Sequence, residues 1–491
     1  MFGVPSPRTA LGIALWLAFN LWATAHAVLR KRDVRAALGW TGLIWALPFG
    51  GAALYALLGI NRISRKAKRL LGPVNGHPVD ASALTWCLPD RAVHEGADVA
   101  SDSTGAACIP AALQPLVTLG DRVVKLPLVA GQTLQVLDGG RAAYDAMLEA
   151  IEGARSSVSL CSYIFDRDSL GLRFADALGR ARRRGVEVRV MVDGVGARYS
   201  RPTIQGALEE VDVRCALFLP PWPPLAWPFF NLRNHRKVMV VDGRVAFTGG
   251  MNLRAGFAGP PGEAASDVHF RVEGPVVAQL QQCFAHDWWF VARETLQGEL
   301  WFPQLQPSGE HCCRAVVDGP DEDFETLRYL LLGALTQARR RVVVVTPYFV
   351  PDLGLMTALR VAAYRGVEVD VVLPERSNLP WVDWAARAQL WQALEAGVRV
   401  WFSPPPFDHA KLMVVDDQWS LVGSANWDAR SLRLNFELNL EVIGQPFARE
   451  VGALVQRRLA VSRRLTLEQV QRQPWWIQLR GGLARLLSPY L

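Results

Sequence analysis

Two copies of one motif constrain this chain more than any other feature of its sequence. His235-Arg236-Lys237-Val238-Met239-Val240-Val241-Asp242 returns as His409-Ala410-Lys411-Leu412-Met413-Val414-Val415-Asp416, so both stretches read H-x-K-x4-D. Seven residues past each aspartate stand Gly249-Gly250-x-Asn252 and Gly423-Ser424-x-Asn426. The similarity runs beyond the motifs. Ser162-Tyr163-Ile164-Phe165 and Arg184-Gly185-Val186 parallel Pro347-Tyr348-Phe349-Val350 and Arg365-Gly366-Val367, and Asp267 with Gly274 parallels Glu437 with Gly444. A spacing of about 175 residues between copies is far too long for a solenoid repeat and describes a duplicated domain.

Each copy carries the pattern of a parallel α/β unit. Val158 to Ile164 is an apolar strand, Leu170 to Arg184 has apolar residues at helical spacing, Gly185 stops that helix, and Val186 to Val192 is a second strand. Val342 to Val345, Leu353 to Tyr364, Gly366 and Val367 to Leu373 repeat the order, which predicts βαβ in both halves. Arg180, Arg182, Arg183 and Arg184 read as a solvated helix end favoured by the helix dipole. The expected domains are residues 131–310 and 311–491, after a connector over 61–130 whose Gly, Pro, Ser and Asp content shows weak periodicity.

The N-terminus predicts membrane contact. Ala10 to Leu29 and Ala36 to Ile60 are uncharged runs of 20 and 25 residues, each long enough for a transmembrane helix, with Pro48 as a kink in the second. Ala25-His26-Ala27 resembles a signal-peptide cleavage site, but Arg8 alone makes a thin basic leader. Two spans put both ends on one side, where Arg8, Arg62, Arg65, Lys66, Lys68 and Arg69 outnumber the four cations of Arg30–Arg35. That bias predicts a multi-pass protein of the cell membrane with its catalytic portion in the cytoplasm. Eighteen tryptophans and a formal charge of +7 suit an anionic lipid surface. Leu219 to Phe230, rich in Pro and aromatics, predicts an apolar loop at the interface, and Trp475 to Leu487 an amphipathic segment on the membrane surface. Seven cysteines without regular spacing, Cys312 and Cys313 among them, predict reduced thiols.

On an extended strand, residues two apart share a face, so His235 with Lys237 and His409 with Lys411 point the same way. Asp242 and Asp416 lie an odd step further and are expected to orient their motifs without touching substrate. Two ammonium groups with Asn252 and Asn426 make a cradle for a phosphoryl group without a metal or other cofactor. One imidazole can attack phosphorus while the other protonates the leaving oxygen. Asp267 and Glu437 are placed to hold an imidazole N–H. Zinc fits poorly, because the His spacing is wrong and the lysines repel a cation.

With both motifs in view, the chain resembles the phospholipase D superfamily. The apolar N-terminal runs and Arg233-Asn234-His235-Arg236-Lys237 resemble its bacterial cardiolipin synthases. The resemblance covers both runs and Val158 to the C-terminus. It implies an α/β fold of two phospholipase D-type domains forming a pseudo-dimer around one site, after two transmembrane helices. It further implies phosphatidyl transfer between two phosphatidylglycerols through a phosphohistidine, with anionic phospholipid and membrane as partners and no nucleic acid. Carried over, His235 is the nucleophile and His409 the acid and then base. Lys237, Lys411, Asn252 and Asn426 hold phosphoryl oxygens and Ser424 adds a hydroxyl, although Gly250 stands where the second half has Ser424. A phospholipase D using water or another alcohol as acceptor is the nearest alternative. A nuclease or a silent membrane scaffold fits less well.

Overall fold

The computed structural model describes residues 7–31, 34–47, 50–59, 109–220, 232–260, 262–320, 323–486 and 488. Residues 1–70 and 71–491 form two compact units. In the first, Pro7–Arg30 is a 24-residue helix, and its Ala10–Arg30 portion is long and apolar enough to cross a membrane. The second expected span is not one helix. Val34–Ala46 is helical for 13 residues, and the chain turns before Gly51–Leu54 and a π-helical turn, Tyr55–Gly59. Pro48 itself lies outside the described residues, and a proline lacks the N–H that would carry a helix through. Ala23, Ala27, Ile44, Ala52 and Tyr55 pack together within this unit. Trp45 Nε1 donates to Thr24 Oγ1 at 3.1 Å, while Leu11, Leu15, Leu21, Val28 and Leu29 stay exposed. Among the described residues, one helix is long and apolar enough to cross a membrane.

The second unit is built on one sheet. The first half contributes β1 (Val129–Asp138), β2 (Ser157–Ser162), β3 (Glu187–Asp193), β4 (Arg214–Phe218), β5 (Arg233–Asn234), β6 (Val238–Val241), β7 (Val245–Gly249) and β8 (Val268–Glu273). The second half contributes β9 (His311–Asp318), β10 (Arg341–Val345), β11 (Glu368–Pro374), β12 (Arg399–Ser403), β13 (Leu412–Val415), β14 (Trp419–Gly423), β15 (Asn435–Ile443) and β16 (Arg463–Leu465). The strand order is β16-β12-β11-β10-β13-β14-β15-β9-β1-β8-β7-β6-β2-β3-β4. Reading outward from the antiparallel β1–β9 pair, the same sequence of strands recurs in both directions, with β16 added at one edge. The duplication read in the sequence is thus a pseudo-two-fold, and the outer strands of each half are parallel as the βαβ pattern required.

The helix pairing the first two parallel strands, Ser169–Arg183, buries Leu170, Phe174, Ala177, Leu178 and Ala181 against the sheet. Asp168 caps its first turn, and Gly185 at φ 91° reverses the chain after it, a conformation glycine adopts without a Cβ penalty. Its basic end is solvated, with Arg180 and Arg184 paired to Glu152. The end of the stretch expected as connector is folded. Gln114–Val123 is a helix whose Leu116 and Val117 enter the core of the second half beside Leu327 and Leu331. Cys312 is disulfide-bonded, against the expected reduced thiol, while Cys161, Cys215, Cys283 and Cys313 form no disulfide. The aromatic loop expected over 219–230 falls almost wholly outside the described residues.

Asp242 and Asp416 occupy left-handed turns, φ 52° and 55°, just past β6 and β13. Asp242 accepts from the backbone N–H groups of Arg155, Ser156 and Ser157 and from Ser156 Oγ, at 2.7–3.1 Å. Asp416 accepts from the N–H groups of Arg339, Arg340 and Arg341 at 2.8 Å. Burial raises the Asp242 pKa, but these donors outweigh it and leave the carboxyl below its usual range. Each aspartate therefore tethers the turn entering the neighbouring strand. Asp242→Ala is expected to cost about 2–3 kcal/mol of stability by denaturant titration, with KM little changed.

Candidate active site

The histidines sit just before their strands, not within them: residues 235–237 are extended lead-in, and β6 begins at Val238. Three contacts clamp the first lead-in. Asp193 accepts from Asn234 N at 2.9 Å, Arg236 forms two bonds of 2.6 Å to Asp287, and His235 N donates to Phe436 O at 2.9 Å. The last contact crosses halves, since β5 runs parallel to the start of β15. The second motif does the reverse: His409 N donates to Ser266 O at 2.7 Å, just ahead of β8. Arg458 Nε holds Asp408 at 2.8 Å there. Buried ion pairs of this kind position a chain more reliably than they stabilise it.

This crossing brings each imidazole to the other half's carboxylate. His235 Nδ1–H donates to Glu437 Oε2 at 2.9 Å, and His409 Nδ1–H donates to Asp267 Oδ2 at 2.8 Å. With Nδ1 occupied, Nε2 is the ring nitrogen left for chemistry. Burial depresses the imidazole pKa values, to about 4 for His235 and about 3 for His409, and the carboxylates only partly oppose it. Burial pushes Asp267 and Glu437 upward, but Lys411 and His409, and His235 and Lys237, hold them below the usual carboxylate range. The resting pair is neutral imidazole against carboxylate.

The lysines are buried too. Lys237 Nζ donates to His235 O at 2.6 Å and lies 5.4 Å from the Tyr163 ring centre; Lys411 Nζ donates to His409 O. Burial lowers their pKa values to about 7 and about 8. An arriving phosphodiester anion would raise both, so the alkaline limb belongs to the empty enzyme. Accordingly kcat/KM is expected to fall as pH rises through about 7 to 8, with the kcat limb displaced upward; coincident limbs would exclude the lysines as its source.

Asn252 Oδ1 accepts from Ile164 N at 3.1 Å, which leaves Nδ2 as the donor towards the site. Asn426 is turned the other way: Nδ2 donates to Ser431 Oγ at 3.1 Å and Oδ1 is buried without a partner. The Ser431 hydroxyl can also donate, so a half-turn of that amide satisfies Oδ1 and presents Nδ2. Ser424 corrects its expected role. Its hydroxyl is fully buried and donates to Glu437 Oε2 at 2.5 Å, so it braces the carboxylate and is not aimed at a phosphoryl oxygen. Gly250 has its own reason: a Cβ there would come within 2.5 Å of Asp267 Oδ1. Each half thus fits a different carboxylate, a shorter one beside glycine and a longer one beside serine.

Tyr163 and Tyr348 went unremarked as site residues. Their rings stand edge-on to His235 and His409, with centroids 5.1 and 6.3 Å away. The signal lay in the repeat itself, which places a tyrosine at the same point in both halves.

Two imidazoles, each tied to a carboxylate, thus lie with two buried lysines and two amides contributed by both halves, an arrangement with the donors a phosphoryl group needs. The family described as cardiolipin synthase, PLD-like domain, matches residues 147–288 and 331–459. Cardiolipin synthase A of Pseudomonas putida (strain GB-1) is 33% identical over 471 residues, covering 96% of this chain and 95% of that protein. The major cardiolipin synthase ClsA of Bacillus subtilis (strain 168) is 29% identical over 497 residues, 98% of each chain. Phosphatidylserine synthase from Haemophilus influenzae Rd KW20 shares the fold, with a TM-score of 0.62 at 15% identity over 77% of this chain and 100% of that one. The chain belongs to the phospholipase D-like cardiolipin synthase family, a group of phosphatidyltransferases.

Proposed function

We propose that this enzyme transfers a phosphatidyl group from one phosphatidylglycerol to another, giving cardiolipin and glycerol. The observation that carries this reading is the crossed pair of His–carboxylate contacts, His235 on Glu437 and His409 on Asp267, in a chain related along nearly its whole length to cardiolipin synthases. His235 Nε2 attacks phosphorus, an N–P bond forms, and the P–O bond to glycerol breaks. His409, charged as its imidazolium beside the bound anion, gives Nε2–H to the leaving glycerol oxygen. His409 then takes the proton from the hydroxyl of the second phosphatidylglycerol, whose oxygen attacks phosphorus and releases His235. Lys237, Lys411, Asn252 and Asn426 hold the non-bridging oxygens, where charge builds in the transition state. Asp242, Asp416 and Ser424 act through the residues they brace.

The charge bias of residues 8–69 supports a cytoplasmic catalytic unit; the Cys312 disulfide counts against a reducing compartment. Cysteine labelling from either side of intact cells separates the two. The function is tested with purified protein in phosphatidylglycerol micelles, with and without a strong chelator. Cardiolipin plus free glycerol in the chelated sample is the expected result. Phosphatidic acid alone would make water the acceptor, and loss of activity restored by zinc would overturn the phosphoryl cradle.

A further inference from the structure

The C-terminal helix Trp475–Leu486 is packed the wrong way round for a helix in water. Small residues face inward: Gly481 and Ala484 are its buried positions. Trp475, Trp476, Leu479, Leu483 and Leu486 recur at helical spacing on the outer face and are 53–74% exposed. A surface helix of a globular protein normally shows the opposite arrangement. The inward face meets the helix Pro380–Arg387 closely enough that a Cβ on Gly481 would lie 3.0 Å from that of Ala388. That second helix adds Trp381, 56% exposed, to the same apolar surface.

The pair is joined to the active site. Ala484, Val382, Ala385 and Ala386 form a cluster with Val350, against which Tyr348 packs. Tyr348 is the ring beside His409, and its hydroxyl donates to Asn378 Oδ1 at 2.7 Å, just ahead of the Pro380 helix. Charge selects what could cover the face. The acids nearby are engaged, Asp383 by Arg387 and Glu468 by Arg472, whereas Arg376 and Arg485 have no acidic partner among the described residues. Exposed tryptophan and leucine with cations and no free acid match the headgroup region of an anionic bilayer.

We infer that the helices Pro380–Arg387 and Trp475–Leu486 form a docking platform that lies in the surface of an anionic lipid bilayer and sets the Tyr348 side of the active site against it. The kinetic part of the test rests on the lipid-transfer reading; the contact part does not. Full-length protein is reconstituted in phosphatidylglycerol nanodiscs with an environment-sensitive fluorophore at L479C. Brominated phosphatidylglycerol is expected to quench it, and the absence of quenching beyond labelled wild type would overturn the platform, whether a second copy or another segment covers the face. The triple variant Trp475→Ser, Leu479→Ser, Leu483→Ser then removes exposed side chains only. Its turnover of long-chain phosphatidylglycerol in vesicles should fall by about tenfold or more. Turnover of a monomeric short-chain phosphatidylglycerol should stay within about twofold of wild type. Equal loss on both substrates would make the helix merely structural and overturn the proposal, as would unchanged turnover on vesicles.

Discussion

Replacing His235 with alanine is expected to lower phosphatidylglycerol turnover by about 10⁴-fold or more, with the protein still folded. No neighbouring group substitutes for it. The other imidazole is held by Asp267, and the buried lysines are committed to main-chain carbonyls. The fold survives because Glu437 keeps two donors, Ser424 Oγ at 2.5 Å and Asn435 Nδ2 at 3.0 Å. The two histidines separate by product. With His409→Ala the nucleophile remains while the first step loses its acid and the second its base, so a phosphatidyl adduct should form slowly, persist and be visible by intact-protein mass. His235→Ala should show none, and an adduct on that variant would reverse the assignment of nucleophile.

Glu437→Gln should cost about 10² to 10⁴ in turnover, although Glu437 touches no substrate. Glutamine can still accept from Nδ1–H, but its neutral oxygen does not favour the cationic ring that forms as His235 bonds to phosphorus. Its NH2 group also has no natural partner among donors that now face a carboxylate. Because the contact crosses halves, a substitution on β15 should disable the histidine ahead of β6, and Asp267→Asn on the first half should disable His409. The adduct tells them apart. It should form slowly in Glu437→Gln, and form but persist in Asp267→Asn. If Glu437→Gln forms adduct at the wild-type rate, the crossed pairs are not the working pairs.

The legible parts of this molecule were those in which neighbours in sequence are neighbours in space. Helix and strand periods showed the βαβ units within a residue or two, as at Leu353–Tyr364, and Gly185 and Gly366 marked the helix ends. Strand alternation does not reach Asp242 and Asp416, which lie in left-handed turns past β6 and β13. The second apolar run folds, in its described residues, as shorter helical pieces, because hydropathy does not register where a helix breaks. The folded end of the connector was missed because its apolar positions find their partners about 200 residues later, against Leu327 and Leu331.

The sequence by itself determined that this chain is a duplicated α/β phosphoryl-transfer enzyme. The motif residues, their repetition and the strand alternation around them are all local properties of the chain. Tertiary structure alone decided which carboxylate serves which imidazole, across separations of 202 and 142 residues. It also turned Ser424 from a ligand into a brace and set the tyrosines beside the rings. The reason is geometric. Those contacts exist only once β1 pairs with β9 and fixes one half against the other, and no spacing within either half encodes that docking.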